Sequence, residues 1–236
     1  MKCRILVVDD HELVRRGINA LFETQADMCV CAEAGDGRDA ITKALQLRPH
    51  VIIIDAGMPR LNGISAARRI MAEDSNQRII LFSDITSEPM LRLALSAGIK
   101  GIVFKTDPLA DLIDAVNAVR QDQAFFSGEA GKMILKGYLE SQKSEMATPE
   151  LSGHPCLTLR ELEIAQLLAE GKCSKEVAGL LGLSVKTAET HRSNLMRKLH
   201  IHNLPHLVLF TIKENIIEVP IFDRAIHSKA YTAAAS

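Results

Sequence analysis

Acidic, hydroxyl and ammonium side chains stand at the ends of short apolar runs in this chain. "RILVV" (4–8) leads into Asp9-Asp10 and "HVIII" (50–54) into Asp55. "RIILF" (78–82) leads into Ser83, and "GIVF" (101–104) into Lys105. Three carboxylates brought close together repel one another, and a divalent cation is their natural partner. Donors that are all oxygen favour Mg²⁺ over zinc. In phosphoryl transfer a carboxylate can itself be the nucleophile, forming an aspartyl-phosphate. A cation and a lysine then neutralise the transferred group, while a hydroxyl donates one hydrogen bond to it.

That chemistry requires the run ends to meet. A further run, "MCVCAEA" (28–34), brings the strand candidates to five, separated by helical patterns over 13–22, 38–47, 63–72, 89–97 and 109–119. Strands alternating with helices read as an α/β, doubly wound parallel sheet. The runs are almost continuously apolar, as strands covered on both faces should be. Ligands of such sheets bind beyond the carboxyl ends of the strands, at the topological switch point. A strand order of 2-1-3-4-5 places Asp9, Asp10, Asp55, Ser83 and Lys105 on one patch.

The pattern changes after residue 122. "MILKGYLE" (133–140) is compatible with one helix, whereas "SQKSEMATPELSGHP" (141–155) is polar, with two prolines and no apolar period, and reads as linker. An all-α region follows from Leu157 to about residue 217. The expected organisation is residues 1–122, a linker over 123–155, a second domain over 156–218, and a tail over 219–236 with little to bury.

Within the first domain, Asp9-Asp10, Asp55 with "MP" at 58–59 and "NG" at 62–63, Ser83, and Lys105 after "AGIKGIVF" resemble a response-regulator receiver domain. The resemblance implies that Asp55 accepts phosphate from a sensor histidine kinase. It implies that Asp10, Asp55 and the Gly57 carbonyl ligate Mg²⁺, with Asp9 acting mainly through water. Lys105 would pair with Asp55 and then with the phosphate, and Ser83 would turn inward on activation. Pro59 would stiffen the loop that offers the Gly57 carbonyl. One departure is Ile102, at a position where the family often carries a switching aromatic; Phe104, close by, is expected on the opposite strand face.

The second domain has the punctuation of a helix-turn-helix. Thr158 and Glu161 have capping-box spacing, Leu162, Ala165, Leu168 and Ala169 form one helical face, and Gly171 stops that helix. Ser174 is expected to cap the next helix, Gly182 to sit in the turn, and Ser184 to cap a helix over 185–199. Small Ala178 leaves room for a close helix crossing. Between 184 and 200, Lys186, Arg192, Arg197 and Lys198 face a single acid, Glu189. "LTLRE" and "GKCSKEVAGLLGLSVKTAETHRSNLMRKL" resemble the LuxR-type helix-turn-helix of the NarL/FixJ group, a four-helix domain. By that resemblance Lys186, Thr187, Glu189, Thr190, Arg192 and Ser193 face double-stranded DNA, with Arg197 and Lys198 near its backbone. The last helix, over 203–217, would join a homodimer contact. Ala188 replaces a more usual valine.

Composition sets the outer bounds. The 236 residues are 47% hydrophobic and 24% charged, with a formal net charge of −1, so no global charge draws the chain to nucleic acid. The apolar runs are too short to cross a bilayer. Five scattered cysteines fit a reducing cytoplasm and buried thiols rather than a metal site. The expected protein is a phosphorylation-controlled transcription regulator. The alternative is a phosphorylation-independent regulator using the receiver as a dimerisation scaffold. An aspartyl-phosphate hydrolase is disfavoured, because Gly57 stands where such enzymes place a second Asp.

Overall fold

In the computed structural model, which describes residues 2–84, 87–144, 157–214 and 216–217, the apolar runs become a parallel sheet. Its strands are β1 (Cys3–Val8), β2 (Met28–Ala34), β3 (Val51–Ile54), β4 (Arg78–Ser83), β5 (Gly101–Phe104) and β6 (Phe125–Phe126), in the order β2-β1-β3-β4-β5-β6. The fold is thus the doubly wound sheet expected, with one strand more. Phe125 and Phe126 extend the sheet inside the stretch assigned to linker, pairing with Gly101 and Ile102. Two residues carry too little periodicity to announce a strand.

Pleating divides the strand residues between two cores. Ile52, Ile54, Leu81 and Ile102 pack on the side covered by α2 (Gly37–Leu47), α3 (Gly63–Glu73) and α4 (Glu88–Ser96). Ile53, Ile80, Phe82 and Val103 pack against α1 (Glu12–Glu23) and α5 (Leu109–Arg120). Each fully buried isoleucine stabilises this arrangement by roughly 1.5–3 kcal/mol. Phe104 shares the face and the core of Ile102, contrary to expectation, because residues two apart on a strand point the same way.

α6 (Gly128–Ser144) is longer than the expected 133–140 helix and packs on α4, where the Arg92 guanidinium donates to the Gly137 carbonyl at 3.0 Å. Residues 145–156 and the 219–236 tail lie outside the described residues. The second domain comprises α7 (Leu159–Ala169), α8 (Ser174–Leu181), α9 (Val185–Lys198) and α10 (Leu204–Lys213). The Thr158–Glu161 capping box forms, and Ser184 caps α9 by accepting from the Thr187 amide. Cys173, not Ser174, is the cap residue of α8; Ser174 is its first helical residue. The Glu176 carboxylate accepts from the Cys173 amide at 2.8 Å and so completes the box from the other side. α10 ends at Lys213, short of 217, and the Ile216 amide donates back to the Thr211 carbonyl at 2.8 Å.

The two domains share an apolar core. The cluster beneath α3 and α4 continues into Leu162, Ala165 and Leu168 of α7. Met90 and Leu93 of α4 border one cavity with Leu157, Phe210 and Ile216.

Candidate functional site

Parallel register sets the pocket. Val8 lies opposite Ala34 and Ile54, Ile54 opposite Leu81, and Ser83 opposite Phe104, so β1, β3, β4 and β5 end level with one another. The ladder continues one residue further, where the Asp55 amide donates to the Val8 carbonyl at 2.8 Å and the Lys105 amide to the Ser83 carbonyl at 3.1 Å. The four strands therefore deliver Asp9, Asp55, Ser83 and Lys105 to one place.

The Lys105 ammonium sits 2.8 Å from Asp9 Oδ2 and 3.2 Å from Asp55 Oδ2. Asp9 and Asp55 are both buried, at 1% and 2% exposure. The Ala56 amide donates to Asp55 Oδ1 at 2.8 Å, and the Ser83 hydroxyl also donates to this carboxylate. Ser83 is itself buried. Burial pushes the Asp55 carboxyl above the ordinary aspartate range; Lys105 opposes this and the Asp9 charge adds to it. For Lys105, burial acts against the ammonium, but Asp55 and Asp9 outweigh it and raise its pKa.

Asp9 Oδ2, Asp10 Oδ1 and Asp55 Oδ2 are enclosed atoms without a well-aligned hydrogen-bond donor. Lys105 supplies ion-pair contacts to two of them, and the ring nitrogen of His11 lies 3.0 Å from the third. Three carboxylates facing one lysine leave an excess of negative charge on oxygen donors, which fits a hard divalent cation. His11, absent from the sequence reading, offers a nitrogen within 4.8 Å of Asp9 and Asp10 oxygens. Adjacency to Asp10 was the only signal for it, and Mg²⁺ favours oxygen over imidazole.

The loop from Asp55 to α3 explains "NG". Asn62 caps α3, its Oδ1 accepting from the Ser65 amide at 2.8 Å. Gly63 passes so close to Asp55 that a Cβ would lie 1.8 Å from the Asp55 carbonyl oxygen. Gly57 lies in this loop between Ala56 and Met58.

On α9, the buried Ala188 and Leu195 hold the helix to its domain. Lys186, Thr187, Glu189, Thr190, Ser193 and Arg197 are exposed, and Arg192 is half-buried. Lys198 is engaged by Glu161 of the α7 capping box at 2.7 Å. α9 thus presents donors, acceptors and cations, as reading a major groove requires. Among the described residues no helix is long and apolar enough to cross a membrane.

Comparison with known proteins agrees with this arrangement. Residues 5–117 match the response regulator receiver domain, and residues 155–211 match the bacterial regulatory proteins of the luxR family. The transcriptional regulatory protein LiaR of Bacillus subtilis is 32% identical over 91% of this chain and 99% of its own. The oxygen regulatory protein NreC of Staphylococcus epidermidis is also 32% identical, over 91% of this chain and 99% of its own. Among solved structures, RcsB from Salmonella enterica serovar Typhimurium, bound to promoter rprA in the presence of phosphomimetic BeF3-, is 26% identical. It aligns with a TM-score of 0.67 over 89% of this chain and 98% of its own. Sheet order and helix-turn-helix agree with these matches: the chain belongs to the two-component response regulators that join a receiver to a LuxR-type DNA-binding domain, a family of transcription regulators rather than enzymes.

Proposed function

We propose that Asp55 accepts a phosphoryl group from a sensor histidine kinase and that its phosphorylation controls DNA binding by a homodimer. The observation that carries this reading is the enclosed set of Asp9, Asp55 and Lys105 at adjoining strand ends. A scaffold has no use for two buried carboxylates on one ammonium, which cost desolvation energy.

A carboxylate oxygen of Asp55 attacks the phosphorus of the kinase phosphohistidine. The new O–P bond forms as the N–P bond breaks, and the imidazole leaves with the electron pair. Asp10, Asp55 and the Gly57 carbonyl, with Asp9 through water, would hold Mg²⁺, which would supply positive charge to the phosphoryl oxygens. Lys105 moves from the carboxylate to the transferred group, and the Ser83 hydroxyl donates to it. Ile102 is fully buried, so the receiver switches without a ring changing place at that position.

The receiver occupies 1–122 and the DNA-binding domain 156–218, with residues 123–155 connecting them. Lys186, Thr187, Glu189, Thr190, Arg192 and Ser193 read or approach base edges, and Arg197 contacts phosphate. Lys198 reaches phosphate once it leaves Glu161. Leu204 and Leu209 of α10, 37% and 64% exposed, offer apolar contacts to the second copy. A structure of two RcsB dimers bound to two parallel DNAs supports this assembly. The protein works in the cytoplasm; a DNA target and the free thiols of Cys3, Cys29, Cys31 and Cys173 support that reading.

The test is a double-stranded oligonucleotide selected from a random pool by the phosphorylated protein. Wild type should bind it more tightly after treatment with a small acyl-phosphate donor and Mg²⁺, and Asp55→Ala should not respond. An equal phosphate-dependent gain in Asp55→Ala would overturn the proposal.

A further inference from the structure

α7 of the DNA-binding domain grips the receiver loop that follows Asp55. Gln166 is only 2% exposed although it lies on a helix of the other domain. Its Nε2 donates to the Met58 carbonyl at 2.8 Å and to Glu170 Oε1 at 2.8 Å. Its Oε1 accepts from Asn62 Nδ2 at 2.9 Å. The amide orientations form a consistent set. Asn62 Oδ1 is occupied by the Ser65 amide, so Nδ2 must face Gln166, which leaves Nε2 for the Met58 carbonyl. Glu170 in turn accepts from the Arg60 amide at 3.3 Å. The loop is thus held at Met58, Arg60 and Asn62, on the far side of Gly57 from Asp55.

The loop is held in a costly shape. Arg60 has φ of +67°, in the left-handed region that a side chain disfavours. Such a residue persists where its surroundings over-determine it. Both domains supply that restraint: the Arg60 guanidinium pairs with Asp36 of the receiver, and the Arg60 amide donates to Glu170 of the second domain. α9, by contrast, keeps its DNA-facing residues exposed in the same docked arrangement, so docking does not work by covering them.

We propose that Gln166 is a positioning residue for the phosphoacceptor pocket. Seated on Met58 and Asn62, it holds the 56–62 loop in its resting shape, so pocket occupation and domain docking oppose each other. The inference rests on the reading that Asp55 and its neighbours bind Mg²⁺ and accept phosphate. Occupation of the pocket draws on the loop at Gly57, which is covalently joined to the residue Gln166 holds. Whatever moves the loop then loosens α7, and loosening α7 must favour occupation to the same extent.

The experiment uses the full chain. Mg²⁺ affinity is measured by titration calorimetry for wild type, Gln166→Leu and Gln166→Glu. The glutamate variant matches glutamine in size but puts a carboxylate against the Met58 carbonyl and Glu170. Hydrogen exchange of peptides covering 56–64 and 159–170 is followed in wild type with and without Mg²⁺ and acyl-phosphate donor, which needs no variant to fold. The expected result is Mg²⁺ binding about fivefold tighter in either variant that folds, with faster wild-type exchange in both peptides after phosphorylation. Mg²⁺ affinity equal to or weaker than wild type in the variants, with α7 exchange unchanged, overturns the role of Gln166 and leaves the Asp55 reading intact. Failure of wild type to bind Mg²⁺ or take up phosphate overturns both.

Discussion

The strand-end pocket and the α9 surface both collect charge, and they use it in opposite ways. In the pocket Asp9, Asp55 and Lys105 are enclosed at 2.8 and 3.2 Å, where water screens little and a lost partner leaves a charge stranded. On α9 Lys186 and Arg197 stand in solvent, and each contributes little until phosphates arrive to release their counterions. The pocket is therefore prepared before its ligand comes, and its chemistry is coupled to stability. The DNA surface keeps its cations outside the core, so its residues are free to serve recognition.

The largest effect that separates the two regions is removal of Lys105. Lys105→Met leaves Asp9 and Asp55 facing each other, at a cost of about 3–5 kcal/mol. Urea denaturation should report that loss, and millimolar Mg²⁺ should recover part of it. A loss below 1 kcal/mol would break the comparison. Next comes Gly63→Ala, whose Cβ meets the Asp55 carbonyl and forces the loop to shift. A destabilisation of roughly 1–3 kcal/mol is expected, together with weaker Mg²⁺ binding by calorimetry.

On α9 the same kind of truncation should spare the fold. Arg192→Ala and Arg197→Ala should each lower DNA affinity and reduce the salt slope by about 1, with melting temperatures close to wild type. Glu189→Gln should change base preference at one position, worth about 1–3 kcal/mol, which selection from a random oligonucleotide pool would read. Lys198→Ala should do less in either assay, because its partner Glu161 keeps the Thr158 amide.

Titration gives the smallest and most specific contrast. The folded Asp55 pKa is raised, chiefly by burial, so its contribution favours folding below the unfolded aspartate value of about 4. That contribution is lost as pH rises through the higher folded value. Asp55→Asn should therefore melt above wild type at pH 7 without Mg²⁺, and the gap should close as pH falls toward about 4. Asn substitution that lowers the melting point at pH 7 would contradict the electrostatic account.

Much of the pocket was legible because topology does the gathering. Once five apolar runs alternate with helices, whatever follows Val8, Ile54, Phe82 and Phe104 must meet at one edge. The two-residue β6 was not legible, since its pairing depends on where α5 returns the chain. A cysteine is a weak acceptor and gives little sign of a cap at 173, yet Glu176 completes that box from the other side. Phe104 was misplaced by an error of strand period rather than by any override. Glu163, Gln166 and Glu170 gave no signal at all. Their helical spacing reads as a solvated face, and nothing within α7 reveals that receiver residues Arg69, Asn62 and Arg60 will cover it.

The most direct measurement is intact-protein mass after incubation with a small acyl-phosphate donor and Mg²⁺. The account predicts one added phosphoryl group on wild type and none on Asp55→Ala. Equal phosphorylation of both proteins, or none on a wild type that folds and binds Mg²⁺, would contradict it.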